Sequence, residues 1–248
     1  MVYHAFLDAA EQIPYDHPSQ MKLARLVFAL RGTPKTATVE KLGPTKDDPR
    51  YRFDFTALHD VISGRWLHPF NDLGYKSLDK KGKVERAQRW INANVFYANI
   101  SVWSWDKTSS YMRRVMVLAF GDPVSERYGF EPYMGFTRHD KSWRDPHVSA
   151  AAQWIIYSGQ HIFREVMNPS DTVELKYEHP LRRLQAEPLS EWRRWKQGFR
   201  DVSNDPERQD EARALAKRAA NLMEALEENM MLRWGRYRLR KARILRIR

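Results

Sequence analysis

Apolar residues recur along this chain at helical spacing, and one stretch leaves no polar face. In the segment from Trp90 to Trp105, WINANVFYANISVWSW, Ile91, Val95, Ala98 and Val102 cover one side at about 100° per residue. Ala93, Phe96, Ile100 and Trp103 cover the other, with Trp90 and Tyr97 between them. A helix that is apolar all round is a buried helix, and the pattern predicts one from Val84 to Trp105 at the centre of the fold. The same pattern predicts burial of Trp90, Phe96, Tyr97, Ile100 and Trp103. Within it, Asn92 and Asn99 share one stripe, and Asn94 and Ser101 share another. A buried amide without a partner costs about 1–3 kcal/mol. These groups must therefore either bond to neighbouring elements or line a polar hole that a ligand or water fills.

The remaining elements also read as helices. Residues 2–11 form a short apolar one, ended by Pro14. Asp16 is placed to cap the next, with Pro18 in its first turn and Leu23, Leu26, Val27 and Leu30 as its apolar stripe. Phe55, Leu58, Val61 and Ile62 suggest a helix that stops near Gly64. Ser109 or Ser110 begins another, carrying Tyr111, Val115, Leu118 and Ala119. From Val148 to Met167, residues Ala151, Ala152, Ile155, Ile156, Ile162, Phe163 and Val166 make an apolar arc. Gln153, Tyr157, Gln160 and Arg164 stand opposite. Gly159 inside it costs about 1 kcal/mol of helix propensity and points to a close approach by another helix. SEWRRWKQGF (190–199) puts Trp192, Trp195 and Phe199 on one stripe. Asp205-Pro206 signals a last helix, whose apolar face runs from Ala212 to Met230.

Proline and glycine break the chain at 32–50, 121–146 and 168–189. No segment reads as a strand and none repeats. The expected fold is all-α, a single-domain irregular helical bundle around the buried helix at about 84–105. Residues 1–232 would form the domain and 233–248 a basic C-terminal tail.

Charge sharpens that division. The net charge is +11. Arg233–Arg248 hold seven Arg, one Lys and no acid, so they supply +8 and leave +3 for the rest. With no cysteine, disulfides and thiolate metal sites are excluded. The first twelve residues, MVYHAFLDAAEQ, lack the apolar run of a secretory signal, and no apolar run is long enough to span a membrane. A cytoplasmic setting is expected.

Four segments come in order: DAAEQIPYDHPSQMKLARLVFALRGTP (8–34), WINANVFYANIS (90–101), HVSAAAQWIIYSGQHIF (147–163) and SEWRRWKQGF (190–199). Together they resemble the filamentous-fungal family known as domain of unknown function 3632. That family shows a His-Pro after an Ile-Pro near its start. A Trp-x-x-x-Asn-x-Phe-x-Ala helix, an Ala-Ala-x-Trp-Ile helix and a late Trp-x-x-Trp follow. The resemblance covers most of residues 8–225 and is most specific at Ala151-Ala-Gln-Trp-Ile155. It implies a fungal, intracellular, helical protein. It carries over no catalytic residue, because the family has no assigned site.

No Gly-rich phosphate loop, G-x-S-x-G elbow or His-Glu-x-x-His occurs. The eight histidines show no i,i+3 or i,i+4 pair. No cofactor and no metal are therefore expected. The residues best equipped for chemistry are His161, at the border of the two arcs of its helix, and Tyr157 one turn before it, as acid/base groups. With Asn92, Asn99 and Trp154 they would line an aromatic pocket between the buried helix and helix 148–167. The bland alternatives are that the amides bond to surrounding elements, that His161 is a half-exposed helix residue, and that Trp192 and Trp195 are core.

Three functions follow, in this order. The first is binding of a small, largely apolar metabolite in that pocket, extending to cofactor-free proton transfer, rearrangement or cyclisation in a biosynthetic pathway. The second is a non-enzymatic helical scaffold or interaction protein. The third is binding of nucleic acid or an acidic membrane surface through Arg233–Arg248. A solvated or docked C-terminus that extends the last helix is the plain reading of the tail. The oligomeric state stays open.

Overall fold

The computed structural model describes residues 2–31, 61–62, 77–102, 108–121, 143–167 and 188–245, with 231–245 as backbone. These contain seven helices and no strand: α1 (Val2–Gln12), α2 (Ser19–Arg31), α3 (Lys80–Ser101), α4 (Thr108–Phe120), α5 (Arg144–Met167), α6 (Pro188–Asn204) and α7 (Asp210–Leu245). They pack on one another as a single helical domain around a shared apolar core.

The arrangement follows from α3. Its N-cap is Asp79, whose carboxylate accepts from the Gly82 N–H at 2.7 Å. This cap starts the helix a turn earlier than its apolar pattern suggests. The first turns are solvated and carry the exposed Lys81–Glu85 pair. From Trp90 to Ser101 twelve consecutive residues are buried, among them Trp90, Phe96, Tyr97 and Ile100 as the pattern demands. Trp103 lies outside the described residues. The helix ends at Ser101 rather than near Trp105.

Three neighbours achieve that burial. The antiparallel pair α1–α2 covers one side of α3, α5 covers the other, and α4 closes in near its end. On α2 the buried stripe is Gln20, Ala24 and Val27, while Leu26 and Phe28 are exposed. The expected Leu23–Leu26–Val27–Leu30 stripe is thus rotated, because the small Ala24 lets the backbone of α2 approach α3.

α5 is a second central helix. It lies between α3 and the α6–α7 hairpin, and residues 147–155 are all buried. Gln153, expected on the polar side, is therefore inside. Ser158 breaks the regular geometry (φ −133°, ψ 15°). Its hydroxyl donates to the Trp154 carbonyl at 2.9 Å, a back-bond that commonly bends helices. Gly159 follows at the point of closest packing, where a Cβ would sit 3.1 Å from Leu226 Cδ1.

α6 and α7 are held by aromatic burial and charge. Trp192, Trp195 and Phe199 are fully buried, and the Trp192 indole meets Phe163 edge-on at 4.8 Å. Such side chains contribute about 1.5–3 kcal/mol each on burial. Arg193 and Lys196 close on Glu227 at 2.7 and 2.8 Å. Asp205 caps the turn between the two helices through the Glu207 N–H, and α7 itself begins five residues later. The Asp145 carboxylate accepts from Arg208 and from the Gln209 N–H, tying the start of α5 to that turn.

Gly198 is the tightest joint. A Cβ there would lie 2.5 Å from Phe120 Cδ1, and the Phe120 ring is itself seated against Phe199 at 4.7 Å. Gly198→Ala should destabilise the protein by about 1–3 kcal/mol from overpacking, net of about 1 kcal/mol of helix propensity. Urea unfolding checks this. In a Phe120→Ala background the same substitution should cost little or become favourable.

Candidate functional site

The polar groups of the buried helix meet partners in the protein. Asn92 Nδ2 donates to the Glu11 carbonyl at 2.8 Å, and its Oδ1 accepts from Gln88 at 3.0 Å. Asn94 Nδ2 donates to the Trp90 carbonyl at 2.8 Å, and its Oδ1 accepts from the Trp154 indole N–H at 2.8 Å. Asn99 Nδ2 donates to the Val95 carbonyl at 3.0 Å, and Ser101 to that of Ala98 at 2.7 Å. The residues that share a stripe thus have different tasks. Asn92 ties α3 to the end of α1, Asn94 ties it to α5, and Asn99 and Ser101 bond back to their own helix.

The structure brings some of the five expected site residues together and parts others. Trp154 meets Asn94, not Asn92 or Asn99. Asn92 donates to Glu11 in the last turn of α1, and the Tyr157 hydroxyl donates to the Tyr15 carbonyl beyond that helix at 3.3 Å. The Tyr15 hydroxyl in turn donates to Glu211 of α7 at 2.5 Å. Burial raises the Tyr157 hydroxyl above its ordinary pKa; Arg218 opposes that shift and Asp16 adds to it. Tyr15 is pushed up as well, by burial first and then by the bond to Glu211. Both phenols stay protonated and donate. His161, half-buried one turn beyond Tyr157, places Nε2 3.1 Å from Glu165 Oε1, without the alignment of a hydrogen bond.

Three polar residues in the interior went unnoticed in the sequence. Gln20 Nε2 lies within hydrogen-bond distance of the carbonyls of Ala10, Ile13 and Asn92, so one amide pins α1, α2 and α3. Its signal was its place in the stripe with Ala24 and Val27. Glu227 stands in the apolar seam of α7 beside Met223 and Leu226. Burial alone would raise its carboxyl, yet the bonds from Lys196 and Arg193 hold it below the usual carboxylate value. His147 is buried at the start of α5 with its ring edge-on to Trp90 at 6.1 Å and tilted against Trp143 at 6.0 Å. Burial lowers its pKa to about 4, so it is neutral at pH 7. The described groups thus supply a hydroxyl donor and an imidazole beside a carboxylate on α5, and within the core a set of amides that bond to protein carbonyls, with Gln20 Oε1 and Gln153 Nε2 buried without a partner.

A family profile described as a protein of unknown function matches residues 3–199 of the chain. No curated protein and no solved structure matches it.

Two measurements check the interior. Trp154→Phe removes the only indole donor to Asn94 Oδ1 and should cost about 1–3 kcal/mol in urea unfolding; adding Asn94→Leu should then cost less than Asn94→Leu does alone. For His147, the folded-state pKa near 4 lies below the ordinary 6.5. The unfolded chain therefore takes up the proton first as pH falls. Stability is fully present above pH 6.5 and is lost towards pH 4, by about 3 kcal/mol in all. His147→Phe should flatten the pH dependence of stability in that window, read as a slope rather than an absolute value.

Proposed function

The chain belongs to that family of proteins of unknown function, DUF3632, and we propose that it serves as a non-enzymatic helical scaffold or interaction protein. The observation that carries this reading is how the polar side chains of α3 are used. The side-chain N–H groups of Asn92, Asn94 and Asn99 and the Ser101 hydroxyl all donate to protein carbonyls. Groups used in this way hold helices together and are not presented to a ligand. The same holds for Gln20, which joins three elements at once. The aromatic residues that suggested a pocket wall, Trp154, Trp192 and Trp195, are each 0–1% exposed, which suits core better than cage.

A metabolite-binding reading retains one support. Tyr157 and His161 are half-buried on the same side of α5, one turn apart, with Glu165 a turn further on. A small hydroxyl- or carbonyl-bearing ligand would meet a hydrogen-bond donor and a titratable ring there.

The two readings part in a thermal-shift experiment. For a scaffold, a panel of small apolar metabolites leaves the Tm unchanged. Asn92→Ala lowers it, because the carbonyl of Glu11 and the amide of Gln88 lose their partner, at about 1–3 kcal/mol. His161→Ala changes it little. A metabolite that raises the Tm of the wild type by mass action, and fails to do so in His161→Ala with its fold intact, would overturn the scaffold reading in favour of the second.

A further inference from the structure

The first turn of α5 carries an aspartate and a histidine two residues apart, Asp145 and His147. An anion at a helix N-terminus is favoured by the backbone dipole, and a cation there is not. With a carboxylate at Asp145 and a neutral ring at His147, the turn suits its place. The Asp145 carboxylate, 14% exposed, accepts from Arg208 at 2.9 Å and from the Gln209 N–H at 3.1 Å. Those two bonds hold the start of α5 to the turn between α6 and α7. Arg208 also reaches Asp205 at 3.2 Å, and Arg144 acts on Asp205 from the α5 side. Two cations and two carboxylates thus share one joint.

His147 belongs to the same turn and is buried. Its ring stands edge-on to Trp90 of α3 and tilted against Trp143. The charged groups of the joint are Arg144 and Asp145 on its own helix and Arg208 and Asp205 across from it. Burial is what lowers the pKa of His147, to about 4. Acid changes these groups in one sense. A protonated Asp145 no longer draws Arg208, whose charge is then left without that partner in a site where it is 17% exposed. A protonated His147 puts a cation into an apolar site and at the positive end of a helix. Asp205 is held below the usual carboxylate range, by the Glu207 N–H first and then by Arg208 and Arg144, and its protonation releases both arginines. Arg144, His147 and Arg208 then face one another as cations with no anion among them.

We propose that this joint is an acid-opened device: in mildly acidic solution the first turn of α5 parts from the α6–α7 turn and from Trp90, while the core of the bundle stays closed. The rest of α5 is anchored by groups that do not titrate. The Trp154 indole is bonded to Asn94, and Ala150, Ala151, Ala152 and Ile155 are buried. Opening therefore stops near the first turn and bares the part of Trp90 that the His147 ring covers. The sign follows from linkage. The open turn takes up its proton at the ordinary histidine pKa of 6.5 and the closed turn only at about 4. Closure is thus fully favoured above pH 6.5 and is lost as the pH falls towards 4. The device stands whichever of the two proposed functions holds.

Hydrogen exchange of the full chain, read by mass spectrometry at neutral pH and at about pH 4.5 and corrected for the intrinsic rate, tests this. Protection of the amides at 147–150 and 208–210 should fall by roughly tenfold or more in acid, while that at 93–101 is retained. His147→Gln, which does not titrate in this range, should keep most of the protection in acid. His147→Phe is the second variant should a buried Gln unfold the chain, which protection at 93–101 reports. Asp145→Asn should lose protection at neutral pH, in the same two segments and not at 93–101. If acid lowers protection at 93–101 equally, the whole bundle unfolds together and the proposal is wrong. It is overturned as well if the two segments stay protected in acid, or if both His147 variants open as the wild type does. Asp145→Asn protected like the wild type at neutral pH would show that the carboxylate does not hold the joint, and would sink the proposal too.

Discussion

Twelve consecutive buried residues, Trp90 to Ser101, impose the constraint on which the rest of this fold depends. A helix buried on every side needs neighbours on every side, so α1, α2, α4 and α5 are arranged around it. It also leaves each of its polar side chains without water, at about 1–3 kcal/mol for any left unbonded. Three asparagines in that stretch are tolerable because they are spent differently. Two of them reach across to α1 and α5, and the third bonds its own preceding turn. The bond from the Trp154 indole to Asn94 ties the two central helices directly. It joins the Trp-x-x-x-Asn-x-Phe-x-Ala and Ala-Ala-x-Trp-Ile segments, which gives those two patterns a common physical reason.

The second half of the molecule is built on another principle. α5, α6 and α7 share aromatic packing, but their contacts also carry buried or half-buried charge: Glu227 between Arg193 and Lys196, and Asp145 against Arg208. Removing one partner from such a set leaves a desolvated charge behind. The sets therefore enforce the register of the hairpin, whatever their net contribution to stability. That register brings the start of α6 level with about residue 232 of α7, whose helical backbone continues to Leu245. The basic tail and the last helix are thus one continuous element, and the excess charge of the chain is carried on helical backbone up to Leu245.

Seen from the site, the same economy explains why polar residues in an apolar helix are a weak sign of a pocket. Asn92 and Tyr157 each donate to a backbone carbonyl, of Glu11 at the end of α1 and of Tyr15 just beyond it. His161 and Glu165 stand half-buried further along α5, 3.1 Å apart.

Periodicity was enough to establish the helical class, the central place of the Trp90 stretch and the aromatic stripe of α6, because each rests on which residues avoid water within one element. The resemblance carried by four short segments was likewise legible without coordinates. Helix limits were less so: the Asp79 cap lengthened α3 at its start, and Asp205 capped a turn where a helix seemed to begin. The burial of Gln20 and Glu227 could not be read from single helices, since it rests on partners that other helices bring. The choice between a pocket and a closed network at Asn92, Asn94 and Asn99 was also tertiary. A side-chain amide is the same in both cases, and only the position of the Glu11 carbonyl and the Trp154 indole decides which it becomes.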